Sequence, residues 1–247
     1  MSTAKSIIAF GDGGTDSKNP LMDLYIIANA RKKNPKVCFL GTASGDNEAY
    51  IGYFEKLFGR YPCKPTHLSL FRPHTSDIED FILSTDVIYV GGGHTKAMLG
   101  CWREYGLDKI LKKAYDNGTV LSGGSAGSVC WFDQCITDSI PGRLSVMNCL
   151  GILPYSNCPH FSSVERRASY AEHITDQSIK DGYAADDFAA LHFVNGELIR
   201  SVSTTHYAKT FKLSHNNGKC KRQQLPTKWL DVHQNELIWD LLQEDAA

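Results

Sequence analysis

The chain has 247 residues, 42% of them hydrophobic, with a formal net charge of -1. That is enough apolar material for one sizeable core, and the charge balance excludes the basic footprint of a nucleic-acid binder. No stretch approaches the about 20 continuous apolar residues that span a membrane, and the four-residue apolar run before Gly11 is too short for the apolar part of a signal peptide.

Taken in chain order, "SIIAF" (6–10), "VCFLG" (37–41), "HLSLF" (67–71), "VIYVG" (87–91) and "TVLSG" (119–123) read as buried strands. Helical patterns lie between them. One starts near Asn19-Pro20, a second near Asp46, and a third opens with the capping box of Ser76 and Glu79. Two more cover roughly 95–104 and 107–116. Strand and helix in strict turn predict a parallel sheet covered on both faces. Ligands gather at the carboxyl ends of such strands, so the loops "GDGGTD", "TASGD", "GGGHT" and "GGSAG" carry the most interest.

The second half changes character. "AALHFVNGELIRSVS" (189–203) reads as two strands around Asn195-Gly196, a type I′ hairpin signal. "YAKTFKLSHNNGKC" is expected to continue this antiparallel edge, and "DVHQNELIWDLLQ" (231–243) to form a closing amphipathic helix. With no linker, repeat or low-complexity tract, residues 1–247 are expected to make one α/β/α domain with an antiparallel hairpin extension. The eight cysteines are scattered and form no C-x-x-C pair, so free thiols in a cytoplasmic protein are expected.

Gly123-Gly124-Ser125-Ala126-Gly127 fits G-x-S-x-G. A strand runs in and the helix-compatible "AGSVCWF" runs out, which is the strand–turn–helix context of a nucleophile elbow. Amides at a helix N-terminus can hold an oxyanion. Such a serine needs a base and an orienting carboxylate. His94, after three glycines, and His160, in "NCPHF", are both candidates, and spacing does not choose between them. The loop Gly91-Gly92-Gly93 can supply a second oxyanion donor. Neither glycine loop completes G-x-G-x-x-G, and G-x-x-x-x-G-K-[ST] is absent, so nucleotide binding loses its main support.

Several segments together resemble the peptidase E and cyanophycinase family of serine peptidases. They are "NPLMDLYII", "FLGTASGDNEAYI", "VIYVGGGHT", "GGSAGSVCWF", "LGILPYSNCPHF", "ERRASY" and "GYAADDFAALHF", in order over roughly residues 6–205. The resemblance implies a three-layer α/β/α fold with a mostly parallel sheet, like that of class I glutamine amidotransferases. It implies peptide-bond hydrolysis with no metal and no cofactor. Carried over by position, Ser125 becomes the nucleophile, His160 the base and Asp187, in preference to Asp186, the third member. Many relatives carry "GWSAG" where this chain has "GGSAG", and some use glutamate as the acid. Ala126 with Gly92 or Gly93 would hold the oxyanion.

Known dipeptidases of the family prefer an N-terminal aspartate. Here Arg166 or Arg167 would read the substrate carboxylate, Asp138 its α-amine, and His94 would contribute to substrate affinity. The partners implied are a small peptide substrate and at most a second copy of the chain in a homodimer, with neither nucleic acid nor membrane. The alternative reading is a non-hydrolytic, amidotransferase-like module that binds a small molecule.

Overall fold

A computed structural model describes residues 4–13, 15 and 19–231. In chain order the first half runs β1 (Ser6–Phe10), α1 (Leu21–Ala28), β2 (Lys36–Leu40), α2 (Glu48–Phe58), β3 (Lys64–Leu68), α3 (Ile78–Leu83), β4 (Val87–Val90), α4 (Thr95–Glu104), α5 (Leu107–Asp116) and β5 (Val120–Gly124). The second half runs α6 (Ala126–Val129), β6 (Phe132–Thr137), β7 (Ser145–Asn148), β8 (Leu153–Cys158), α7 (Val164–Thr175), β9 (Gly182–Ala185), β10 (Ala189–Val194), β11 (Glu197–Ser203), β12 (Thr210–Asn216), β13 (Lys219–Leu225) and β14 (Thr227–Trp229).

The larger sheet has eight strands in the order β14-β11-β10-β1-β5-β4-β2-β3. Its centre, β1, β5, β4, β2 and β3, is parallel, and β10 and β11 add the antiparallel hairpin. Alternation along the strands sends successive side chains to opposite faces. Ile8 and Phe10 of β1 pack with Tyr25 of α1 and Phe54 and Phe58 of α2. Ile7 and Ala9 pack on the other side with Trp102 of α4 and Leu111 of α5. The result is a helix–sheet–helix sandwich. Burial of each of these large side chains contributes about 2–3 kcal/mol.

The hairpin forms as its turn chemistry requires: Asn195 and Gly196 both have positive φ, 53° and 86°. Beyond it the structure departs from expectation. β12 does not extend the hairpin edge, which β14 occupies. Instead β12 pairs with β9 and β13 in a second, six-stranded sheet of order β13-β12-β9-β8-β6-β7. Helix α7 covers one face of that sheet through Tyr170 and Ile174. Alternation marks a segment as a strand but does not name its partner.

Smaller differences have local causes. β3 ends at Leu68, and the next amides bend away because Leu70 and Phe71 donate to the buried Asp46 carboxylate, at 2.6 and 3.0 Å. Asp77, not Ser76, caps α3, its side chain accepting from the Asp80 amide at 2.9 Å. The helix after Ser125 lasts one turn before Phe132 enters β6. His206 lies in a loop and His215 within β12. The helix expected over 231–243 falls almost wholly outside the described residues. No helix among the described residues is long and apolar enough to cross a membrane.

Candidate active site

Ser125 sits between β5 and α6 at φ 54° and ψ -116°, a backbone conformation that a non-glycine residue adopts only under constraint. The constraints are visible. The Ser125 amide donates to the Gly11 carbonyl at 3.0 Å, at the end of β1. Gly127 passes so close to β4 that a Cβ there would stand 2.1 Å from the Val90 carbonyl oxygen. A side chain there is excluded by the backbone itself, and the serine is held out at the carboxyl end of the parallel sheet.

The histidine and the acid come from the second sheet. β8 and β9 are parallel neighbours with Cys158 opposite Ala184. His160 follows β8 and Asp187 follows β9, so both leave the sheet at one end. The Phe161 amide donates to the Ala185 carbonyl at 3.0 Å and clamps the two loops together. His160 also has a positive φ, 51°, which turns its ring toward Ser125. His160 Nε2 lies 2.9 Å from Ser125 Oγ, and His160 Nδ1 lies 2.7 Å from Asp187 Oδ1. The Ser162 hydroxyl donates to the other Asp187 oxygen at 3.1 Å. Asp187 thus has partners for both carboxylate oxygens. The imidazole is about three-quarters buried, its side chain 25% exposed.

Asp186 faces elsewhere. One of its oxygens accepts from the Lys209 amide at 3.0 Å, and the other is buried without a hydrogen-bond partner. Burial pushes its carboxyl pKa up, against the opposing pull of that amide and of Arg167.

Gly92 lies directly against the serine: a Cβ on it would be 3.4 Å from Ser125 Cβ. Gly93 has φ 141° and packs where a Cβ would meet the Ala43 carbonyl at 2.3 Å. The His94 amide donates to that same carbonyl at 2.8 Å, which fixes the glycine loop to the loop after β2. Ala126 opens α6, so its amide has no acceptor within the helix. His94 caps α4: its Nδ1 accepts from the Ala97 amide at 3.1 Å. That leaves the proton on Nε2, and the exposed ring offers a donor at the rim.

Arg166, on α7, is paired with Asp138 just beyond β6 at 2.7 Å. The arginine side chain is 13% exposed and the aspartate 72%. Arg167 faces Asp186 electrostatically instead.

Three neighbours of the site escaped sequence reasoning. Ser162 supports Asp187, but nothing in "HFSSV" separates it from Ser163, which caps α7. Tyr50, on α2, has its phenol oxygen beside Thr15 and the Gly92 amide, both on the donating side, and burial raises its pKa. Asp12, in the "GDGGTD" loop, lies beside His160 and Asp187. Contacts of this kind join distant segments and leave no local pattern.

Comparison with known proteins gives the family. The model of peptidase family S51 matches residues 7–201. The uncharacterized peptidase YgaJ of Bacillus subtilis is 44% identical over 229 residues, 92% of this chain and 99% of its own length. Peptidase E of Haemophilus influenzae is 31% identical over 127 residues, covering 47% of this chain and 58% of its own. Among solved structures, a peptidase from an acI-B1 actinobacterium superimposes with a TM-score of 0.71 over 92% of this chain and 96% of its own, at 16% identity, and shares the fold. The extent of the family match and the YgaJ likeness place the chain in peptidase family S51, and it is a peptidase.

Proposed function

We propose that the protein is a serine peptidase of short peptides, with Ser125 as nucleophile, His160 as general base and Asp187 as the orienting acid. The observation that carries the reading is the continuous hydrogen-bonded line from Ser125 Oγ through the His160 ring to Asp187, with steps of 2.9 and 2.7 Å. With the proton on Nδ1 bonded to Asp187, the Nε2 lone pair faces the serine hydroxyl. His160 takes the Ser125 proton as Oγ attacks the peptide carbonyl. The amide of Ala126, with that of Gly92 or Gly93, holds the oxygen that becomes negative. Collapse of the tetrahedral species expels the amine, which takes the proton from Nε2. Water then attacks the acyl-serine by the same route in reverse. Loss of one oxyanion donor lowers turnover by about 10²–10³.

The substrate reading is a dipeptide with an N-terminal aspartate. What supports it is the Arg166–Asp138 pair. A guanidinium has five donors, so Arg166 retains some for a substrate carboxylate while it holds Asp138. The exposed Asp138 then offers its free lone pairs to the α-ammonium. A cation and an anion side by side complement the carboxylate and ammonium of an N-terminal aspartate.

The test is hydrolysis of dipeptides varied at the first residue, by wild type and by Ser125→Ala. The reading expects hydrolysis only by wild type, fastest for aspartate. Hydrolysis by a folded Ser125→Ala protein at the wild-type rate would dispose of the nucleophile, and equal rates for Asp, Asn and Ala would dispose of the specificity.

A further inference from the structure

We propose that Asp12, His160 and Asp187 form an inhibitory binding site for a zinc-class divalent cation. A carboxylate oxygen of each aspartate and a ring nitrogen of His160 all lie within 4.8 Å of one another. Zinc binds such atoms at about 2.0–2.2 Å, so its tetrahedral ligands stand roughly 3.4 Å apart. The remaining gap is within reach of side-chain rotation, because Asp12 is exposed and its two torsions are free to adjust.

Asp12 is nonetheless firmly placed. Its carbonyl accepts from the Phe188 amide at 2.8 Å, one residue beyond Asp187. Its neighbour Gly11 donates to Ala189 and accepts from the Ser125 amide, each at 3.0 Å. The backbone on which Asp12 sits is therefore stitched to the nucleophile on one side and to the acid's loop on the other. Two carboxylates and one neutral imidazole bring a formal charge of -2 to a dication. The nitrogen favours zinc and its transition-metal neighbours over magnesium or calcium, which prefer oxygen alone.

Binding would silence the base whichever ring nitrogen is used. A cation on Nδ1 displaces the proton shared with Asp187, and that proton moves to Nε2. The ring then presents an N–H to Ser125 and has no lone pair to accept the hydroxyl proton. A cation on Nε2 occupies that lone pair directly. No proton is lost to solvent in the first case, and catalysis stops in both. The inhibitory consequence rests on the serine-peptidase reading above; the binding itself does not.

The full chain, stripped of metal with a chelator, is titrated with Zn²⁺ against a chromophoric chelator. Peptidase activity is followed on the same scale of free zinc, each variant normalised to its own metal-free rate. The expected result is a zinc whose affinity and inhibitory effect both weaken in Asp12→Asn. Loss of an outer partner of a bound metal already costs about 10–100-fold in affinity, and loss of a ligand should cost at least as much. Added chelator should restore activity, and Mg²⁺ should not inhibit. Equal zinc affinity and equal inhibition in wild type and Asp12→Asn would overturn the proposal, and would direct attention to thiols such as Cys135 and Cys149, whose sulfurs are 3.5 Å apart. Absence of zinc binding to wild type would overturn it as well. Zinc binding that depends on Asp12 in a protein without peptidase activity would uphold the site and remove the mechanism instead.

Discussion

Asp186 and Asp187 are adjacent in the chain and serve different parts of the molecule. Asp187 meets His160 Nδ1 at 2.7 Å, whereas Asp186 accepts the Lys209 amide at 3.0 Å and holds the loop before β12. The two residues open a turn closed by the Ala189 amide on the Asp186 carbonyl at 3.1 Å, and within it their side chains go to different partners. One of the two is thereby available to the histidine and the other is not.

Substitution should separate them. Asp187→Asn keeps the shape but favours the wrong tautomer of His160, and turnover should fall by up to about 10⁴ with little change in KM. Asp186→Asn keeps an acceptor for Lys209 and removes a carboxylate that burial already disfavours, so activity should change only a few fold. Steady-state kinetics of both variants decide this, and comparable mild losses would reject Asp187 as the acid.

Much of this site can be traced to local pattern, and the remainder cannot. The strand before Ser125 and the glycines around it mark the elbow, because a tight turn needs small neighbours. The expected helices at 95–104 and 107–116 coincide with α4 and α5, whose apolar spacing is regular. The hairpin at Asn195-Gly196 is legible because both residues tolerate positive φ. What pattern did not disclose is that His160 and Asp187 stand on a second sheet. Partner choice among strands is a long-range matter, and β12 looks the same whether it extends β11 or pairs with β9. Spacing therefore left His94 and His160 as equal candidates, whereas the fold sets His94 to capping α4 and turns His160 to the serine.

The elbow itself makes a structural prediction. Gly127→Ala places a methyl group 2.1 Å from the Val90 oxygen, so β4 or α6 must move. Overpacking of this kind costs about 1–3 kcal/mol. Thermal unfolding should show the loss, and activity should fall further than stability, because the displaced turn carries Ser125. A Gly127→Ala protein with unchanged melting temperature and turnover would contradict the packing described.

A second stability prediction concerns His192, on β10. Its ring is buried between Ser6, 2.7 Å from Nε2, and Tyr25, 2.6 Å from Nδ1. Burial, with Arg200 and Arg31 nearby, lowers its pKa to about 3. The unfolded chain then binds the proton first as pH falls. This contribution to stability is complete above the unfolded value near 6.5 and is lost progressively down to about 3. The loss should amount to about 2 kcal/mol between about pH 8 and about pH 5. In His192→Gln that part of the pH dependence should vanish, which denaturant titration at several pH values would measure. An identical slope in the variant would place the proton uptake elsewhere.

Specificity should depend on Arg166 more than on Arg167. Arg166→Met removes a charge-assisted contact worth about 1.5–3 kcal/mol, and the preference for an acidic first residue should drop by roughly ten- to a hundredfold. Hydrolysis of a neutral dipeptide should be spared. Arg167, whose charge acts on Asp186, should affect the preference little when replaced by methionine. Competition between Asp and Asn dipeptides gives the ratio directly, and an unaltered ratio in Arg166→Met would remove this residue from substrate recognition.

The account stands most directly on whether Ser125 is activated by His160. A small fluorophosphonate, followed by peptide mass spectrometry, reads this without knowledge of the substrate. One label per chain is predicted, on the peptide that contains Ser125, with labelling abolished in Ser125→Ala and reduced by orders of magnitude in His160→Ala. No label on folded wild-type protein, or a label that persists on another residue in Ser125→Ala, would contradict it.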